Sequence, residues 1–271
     1  MTQHPARASA ATGARSQGTA HPSVALGTNM IAIASGKGGV GKTWFSITLA
    51  HALRRKGRKV LLFDGDLGLA NVDIQLGLSP KGDLVQALSG QKSFNDVVTH
   101  DSATGIDIVT GRSGLAQLAD ADSGHLDVLA RGLGLISDMY DHVVLDLGAG
   151  IDRAVRTLAG NARQVLVLTN IEPTSITDAY ALIKLLHQDN PATDMKIIVN
   201  SADDSRDGER TYGKLKMACE NFLNFSPALG GIIRSDRHVP EAIRRQMPLA
   251  TRHPTSEASA DVDRIAGTLL R

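Results

Sequence analysis

Ile31-Ala32-Ile33-Ala34-Ser35-Gly36-Lys37-Gly38-Gly39-Val40-Gly41-Lys42-Thr43 is the stretch whose reading decides the fold. An apolar run ends in a glycine-rich loop, the loop ends in Lys-Thr, and a helical pattern follows. Gly36 to Thr43 fits the phosphate-loop pattern G-x-x-x-x-G-K-[ST]. Glycines allow the backbone to fold tightly and present its N–H groups to phosphate oxygens. The helix opening near Lys42 adds the positive end of its dipole. In this pattern Lys42 reaches the β- and γ-phosphates, and the Thr43 hydroxyl is offered to Mg²⁺.

Composition narrows what surrounds this loop. The 271 residues are 42% hydrophobic and 21% charged, which fits a globular protein with a sizeable core. Aromatics are only 3%, so that core must be aliphatic. A net charge of +1 gives no bulk electrostatic case for nucleic-acid binding. The one cysteine, Cys219, cannot close an internal disulfide and reads as a core residue in a reducing compartment. No apolar run reaches transmembrane length. The nine histidines show no metal-ligand spacing.

Residues 1–28 are aperiodic, rich in small and polar residues and free of acidic ones, and are expected to be a disordered tail. Residues 29–271 read as a single domain of alternating strands and helices. Strands are expected at 30–34, 60–63, 106–109, 142–146, 165–168, 195–200 and 229–233. Helices are expected at 43–56, 124–138, 173–188, 208–223 and 255–270, with shorter pieces near 82–89 and 93–98 and within 67–80. Continuously apolar strands alternating with helices predict an α/β fold of three layers, a mostly parallel sheet covered by helices on both faces.

Such a sheet carries its functional residues at the carboxyl ends of its strands. The phosphate loop follows the first strand. Asp64 and Asp66 follow the second, and Asp146-Leu147-Gly148-Ala149-Gly150 ends another. An aspartate at the end of an apolar strand is the expected second carboxylate of a phosphate-loop NTPase. Asp64 and Asp66 are two residues apart, so on a continuing strand both side chains point the same way. Gly148 and Gly150 allow the second loop to move with the state of the γ-phosphate.

The loop Lys37-Gly38-Gly39-Val40-Gly41-Lys42-Thr43 resembles the deviant phosphate loop of the MinD/ParA ATPases, with an extra lysine directly after the first glycine. The segment Asp64 to Asp73 (Asp-Gly-Asp-Leu-Gly-Leu-Ala-Asn-Val-Asp) is similar to the MinD-like branch, and closest to its flagellar-placement members, the FlhG group. The resemblance implies the fold of the SIMIBI class of phosphate-loop NTPases, with ATP and Mg²⁺ as ligands. It implies that Gly36 through Thr43, Asp146 and Gly150 hold the nucleotide, with Thr43 and, through water, Asp64 serving the metal. It implies that Lys37 reaches into the site of a second copy and acts there as a catalytic cation, that Asp66 orients the attacking water, and that Asn71 lies at the dimer face. Asn200 would lie beside the adenine, with the loop from Arg234 to Asp236 covering its other side. The guanine-reading N/T-K-x-D pattern is absent from Asn200-Ser201-Ala202-Asp203, which favours adenine. Leu147-Gly148 stands where the family more often has Ser/Thr-Pro.

The expected function is a slow ATPase switch, paired face to face by ATP, that controls the number or placement of flagella. The implied partners are a second copy, the flagellar GTPase FlhF or flagellar switch proteins, with peripheral contact at the inner face of the cell membrane. Residues 1–28 lack the Asp-Gln-Ala motif with which many such members stimulate FlhF. The last helix, 255–270, has balanced charge and no Trp or Phe, so it reads as part of the fold and not as a membrane anchor. A DNA-partition or other positioning ATPase is the alternative. It would require a basic surface and salt-dependent DNA affinity.

Overall fold

The computed structural model describes residues 28–66, 68–83, 86–87, 89–111 and 123–270. The expected tail lies almost wholly outside these residues, as does part of the expected helix at 82–89.

Eight strands form one sheet: β1 (Met30–Ser35), β2 (Val60–Gly65), β3 (Thr99–Asp101), β4 (Ile106–Val109), β5 (His142–Ala149), β6 (Gln164–Thr169), β7 (Asp194–Ala202) and β8 (Ala228–Arg234). Their spatial order is β3-β4-β2-β5-β1-β6-β7-β8. Every pairing is parallel except β3 with β4. The chain winds outward from β1 in both directions, so β1 is the topological switch point, where α/β sheets place ligands.

The described helices are α1 (Lys42–Arg55), α2 (Val72–Leu76), α3 (Ser123–Ser137), α4 (Arg153–Gly160), α5 (Pro173–Asp189), α6 (Ser205–Leu223), α7 (His238–Arg244), α8 (Leu249–Arg252) and α9 (Glu257–Leu269). Alternation along each strand sends side chains to two cores. Met30, Ala32 and Ala34 join the core shared with α3, α4, α5 and α6, while Ile31 and Ile33 join the core shared with α1, α7, α8 and α9. The two cores are the two faces of the expected three-layer sandwich, filled almost wholly by aliphatic side chains. Burying each Leu, Ile or Phe completely contributes about 1.5–3 kcal/mol. Cys219 is fully buried in α6.

Local signals explain the boundaries. Helix α1 ends where Gly57 turns left-handed at φ +83°, with Arg54 and Arg55 in its last turn. Helix α5 opens on Pro173, whose missing N–H costs nothing there. Helix α4 was not expected, although Asp152 caps it by accepting from Val155 N at 2.9 Å. Strands β5 and β7 run to residues 149 and 202, past their expected ends at 146 and 200. The extra length of β5 carries Asp146 into the sheet interior. The piece expected at 93–98 is one 3₁₀ turn, Asn95–Val97. Helix α9 buries Val262, Ile265 and Ala266 beneath the sheet, so its apolar face is spent within the fold.

Candidate functional site

Parity along the strands brings the two central carboxylates to the same face. Val60, Leu62 and Asp64 on β2, and Val144 and Asp146 on β5, all point toward α1. Asp64 and Asp146 are direct neighbours in the parallel register, and Asp146 is flanked on its other side by Ile33 of β1. Both carboxylates are buried, at 0% and 1% exposure.

The loop between β1 and α1 stands over this pair. Gly39 and Gly41 adopt φ +80° and +92°, which glycine accepts without strain. Gly41 precedes the first helical residue, and its carbonyl accepts from Phe45 N at 3.0 Å. Gly36 is required for a different reason: a Cβ there would overlap the carbonyl of Asp178 in α5. Lys42 is nearly buried, while Gly38 and Gly39 are exposed at the rim. The loop is braced from two sides. Asn200 Nδ2 donates to Val40 O at 2.7 Å, and Gly150 N donates to Ser35 O at 2.9 Å.

Charge in this pocket is unbalanced. Asp64 is pushed up to about 7, chiefly by burial and then by the Asp146 charge beside it. Backbone N–H groups of Asp66, Asn71 and Val72, at 3.2, 3.0 and 3.1 Å, pull the other way. Burial also pushes Asp146 up, against the opposing pull of Lys42 and of the Thr43 and Ser46 hydroxyls. Ser46 Oγ donates to Asp146 Oδ1 at 2.9 Å, whereas Asp146 Oδ2 is buried without a hydrogen-bond partner. Two adjacent carboxylates with a free oxygen and a nearby hydroxyl form a hard-oxygen set suited to a divalent cation. Among the described residues no group of three His, Cys, Asp or Glu could hold a metal ion. The Asp64–Asp146 pair suits Mg²⁺, which is held by one or two carboxylates and completed by phosphate and water. The glycine cradle and Lys42 fit phosphates in the same way.

Four of the expected site residues make contacts within their own chain. Asp66 lies one residue past the end of β2 at Gly65, with its carboxylate beside Gly148 and its charge felt by Asp146. Asp66 closes a turn, its Oδ1 accepting from Gly68 N at 3.2 Å and Leu69 N at 2.9 Å. Asn71 Nδ2 folds back onto Leu69 O in the same turn. The guanidinium of Arg234 is held by acidic residues of α9. It is paired with Asp261 at 3.0 and 2.9 Å and with Glu257 at 2.5 Å, and Arg234 lines the cavity beside the loop. Lys37 is held within its own chain, 2.6 Å from Glu172 Oε2 and 3.0 Å from Thr174 Oγ1.

A family profile for the CobQ/CobB/MinD/ParA nucleotide binding domain matches residues 31–249. The chain belongs to this family. It is a MinD-like ATPase. It is 38% identical over 245 residues to the antiactivator FleN of Pseudomonas aeruginosa, covering 90% of this chain and 85% of that one. It is 32% identical over 247 residues to the flagellum site-determining protein YlxH of Helicobacter pylori, covering 90% and 82%. The structure resembles MinD in the MinC:MinD complex of Aquifex aeolicus, with a TM-score of 0.72, 26% identity and 89% and 96% of the chains covered. It also shares its fold with MinD of Pyrococcus horikoshii complexed with Mg-ADP, with a TM-score of 0.72, 24% identity and 89% and 95% coverage. Among the described residues no helix is long and apolar enough to cross a membrane.

Proposed function

We propose that this MinD-like ATPase is a nucleotide-driven switch that sets the number or placement of flagella. The observation that carries the flagellar reading is its likeness, over 90% of its length, to a protein named as flagellum site-determining.

Gly36 through Thr43 cradle the phosphates of ATP, with Lys42 on the terminal phosphates. Thr43 and Asp146 face the Mg²⁺ site, and Asp64 acts on it through water. When bound, Mg²⁺ neutralises charge on the phosphates and on the two buried carboxylates. Asp66 orients the attacking water. Lys37 leaves Glu172 and enters the site of a second copy, where it stabilises the charge that develops on the phosphates. The loop to Gly150 is hydrogen-bonded to Ser35 at the start of the cradle, so nucleotide state can be transmitted from one strand end to the next. The paired form presents a surface to partners such as FlhF, flagellar switch proteins or the membrane. Helix α9 is committed to the core, so it leaves membrane contact to other segments.

The test is a chromosomal deletion in the organism of origin, complemented with wild type or with Asp66→Ala. Altered flagellar number or position, restored only by wild type, supports the proposal. Normal flagella together with ATP-dependent DNA binding at about 150 mM salt would assign the switch to DNA partition.

A further inference from the structure

Trp44 is the chain's single tryptophan and follows Thr43 in the first turn of α1. It is only 6% exposed, and its indole Nε1–H is buried without a hydrogen-bond partner. A buried donor left unpaired is costly and calls for a missing partner. Trp44 is also a wall of a cavity of about 190 Å³ that opens beside the phosphate loop. Across from it stand Val239, Pro240 and Ile243 of α7, with Asn170 and Asp236 as polar neighbours.

The other polar groups of this cavity are largely engaged. Asn200 Nδ2 donates to Val40 O. Asp236 Oδ1 accepts from His238 N at 2.9 Å and Oδ2 from Ser256 Oγ at 2.6 Å. Asn170 Oδ1 accepts from Glu172 N at 3.2 Å. A slot with an aliphatic wall and an unpartnered indole donor, next to a phosphate cradle, suits the uncharged half of a nucleotide: a flat base against the aliphatic wall, and an oxygen or ring nitrogen for the indole N–H.

We infer that Trp44 recognises the nucleoside half of the bound nucleotide, its ring forming one wall of the pocket and its Nε1–H donating to a nucleoside acceptor. This rests on the reading of Gly36 through Thr43 as an ATP cradle and adds a residue that the phosphate-loop pattern does not contain.

The experiment compares ATP with inorganic tripolyphosphate on the full chain, read by calorimetry and by Trp44 emission. Trp44→Phe keeps an aromatic ring in the core and removes the N–H. ATP should change the wild-type emission, and tripolyphosphate should not. Trp44→Phe should weaken ATP roughly five- to tenfold, the worth of one hydrogen bond, with tripolyphosphate affinity unchanged. Unchanged ATP affinity in Trp44→Phe, or emission blind to ATP, overturns the inference. Equal weakening of both ligands also overturns it, because the phosphate loop itself would then have been disturbed. Thermal unfolding of Trp44→Phe, with a midpoint close to wild type, separates these outcomes from misfolding. A wild-type chain that binds neither ligand would instead refute the ATP cradle.

Discussion

Lys37 Nζ lies 2.6 Å from Glu172 Oε2, at the rim of the phosphate loop and joined to the first turn of α5. The lysine that would serve a second copy is thus parked on its own chain. The ion pair holds the Glu172 carboxyl below the usual carboxylate range, and both side chains remain partly exposed. A solvent-screened pair of this kind is a weak latch.

Glu172→Gln should therefore ease dimer formation. The expected change is a two- to fivefold rise in apparent ATP-dependent dimer affinity, of the size that exposed pairs supply. Sedimentation across a protein concentration series measures it. An unchanged or weakened dimer would show that the Glu172 contact does not oppose pairing.

Ser46→Ala should loosen the metal site without touching the phosphate-loop pattern. Ser46 Oγ is the hydrogen bond to Asp146 Oδ1, and the other oxygen already lacks one. Removing it leaves a buried carboxylate with no short side-chain donor from α1 beyond Thr43. The expected cost is about 1–3 kcal/mol of stability. A higher Mg²⁺ requirement for ATP binding should accompany it. Thermal unfolding and Mg²⁺ titration of ATP binding check the two effects separately.

Gly36→Ala and Gly39→Ala should differ although both lie in the same loop. At Gly36 the added Cβ would collide with the Asp178 carbonyl, so α5 and the loop must separate. At Gly39 nothing lies within 4 Å, and only the positive φ opposes the change. Gly39→Ala should cost about 1 kcal/mol. Gly36→Ala should cost several times more and abolish nucleotide binding. Parallel denaturation curves and fluorescent ATP binding decide it.

Asp64 sets a pH dependence in the nucleotide-free chain. Its carboxyl is near 3.8 when unperturbed and about 7 in the fold, raised by burial and by Asp146. The folded state therefore binds this proton more tightly than the unfolded state. The resulting stabilisation is complete below the unfolded value and is lost as pH rises through the folded one. Thermal midpoints should fall between about pH 4 and pH 7, by at most the equivalent of about 4 kcal/mol. Asp64→Asn should flatten the profile over that range.

Much of this site was legible because its signals are local. The glycine-rich loop, the Lys42-Thr43 pair and the apolar strands ending in Asp64 and Asp146 each lie within a few residues, and the parallel sheet then brings the strand ends together. What sequence reading missed depends on distant partners. Nothing near Ser46 announces a contact 100 residues away, and nothing near Lys37 announces Glu172, 135 residues away. The partners of Arg234 are distant for the same reason: they sit on α9, 23 and 27 residues on. The turn that Asp66 closes was not expected, because Gly65 ends the strand one residue before it. Strand β3 has three residues, too few for periodicity to register. Helix α4 had a readable signal in Asp152, three residues before the N–H that it caps.

If Lys37 acts across two copies of the chain, its removal should prevent ATP-dependent pairing. The most direct measurement is the molar mass of Lys37→Ala with ATP and Mg²⁺, by light scattering on a sizing column, beside its ATP affinity as a monomer. Wild type should be a dimer, and Lys37→Ala a monomer that still binds ATP. A Lys37→Ala chain that dimerises with ATP as readily as wild type would contradict that role of Lys37.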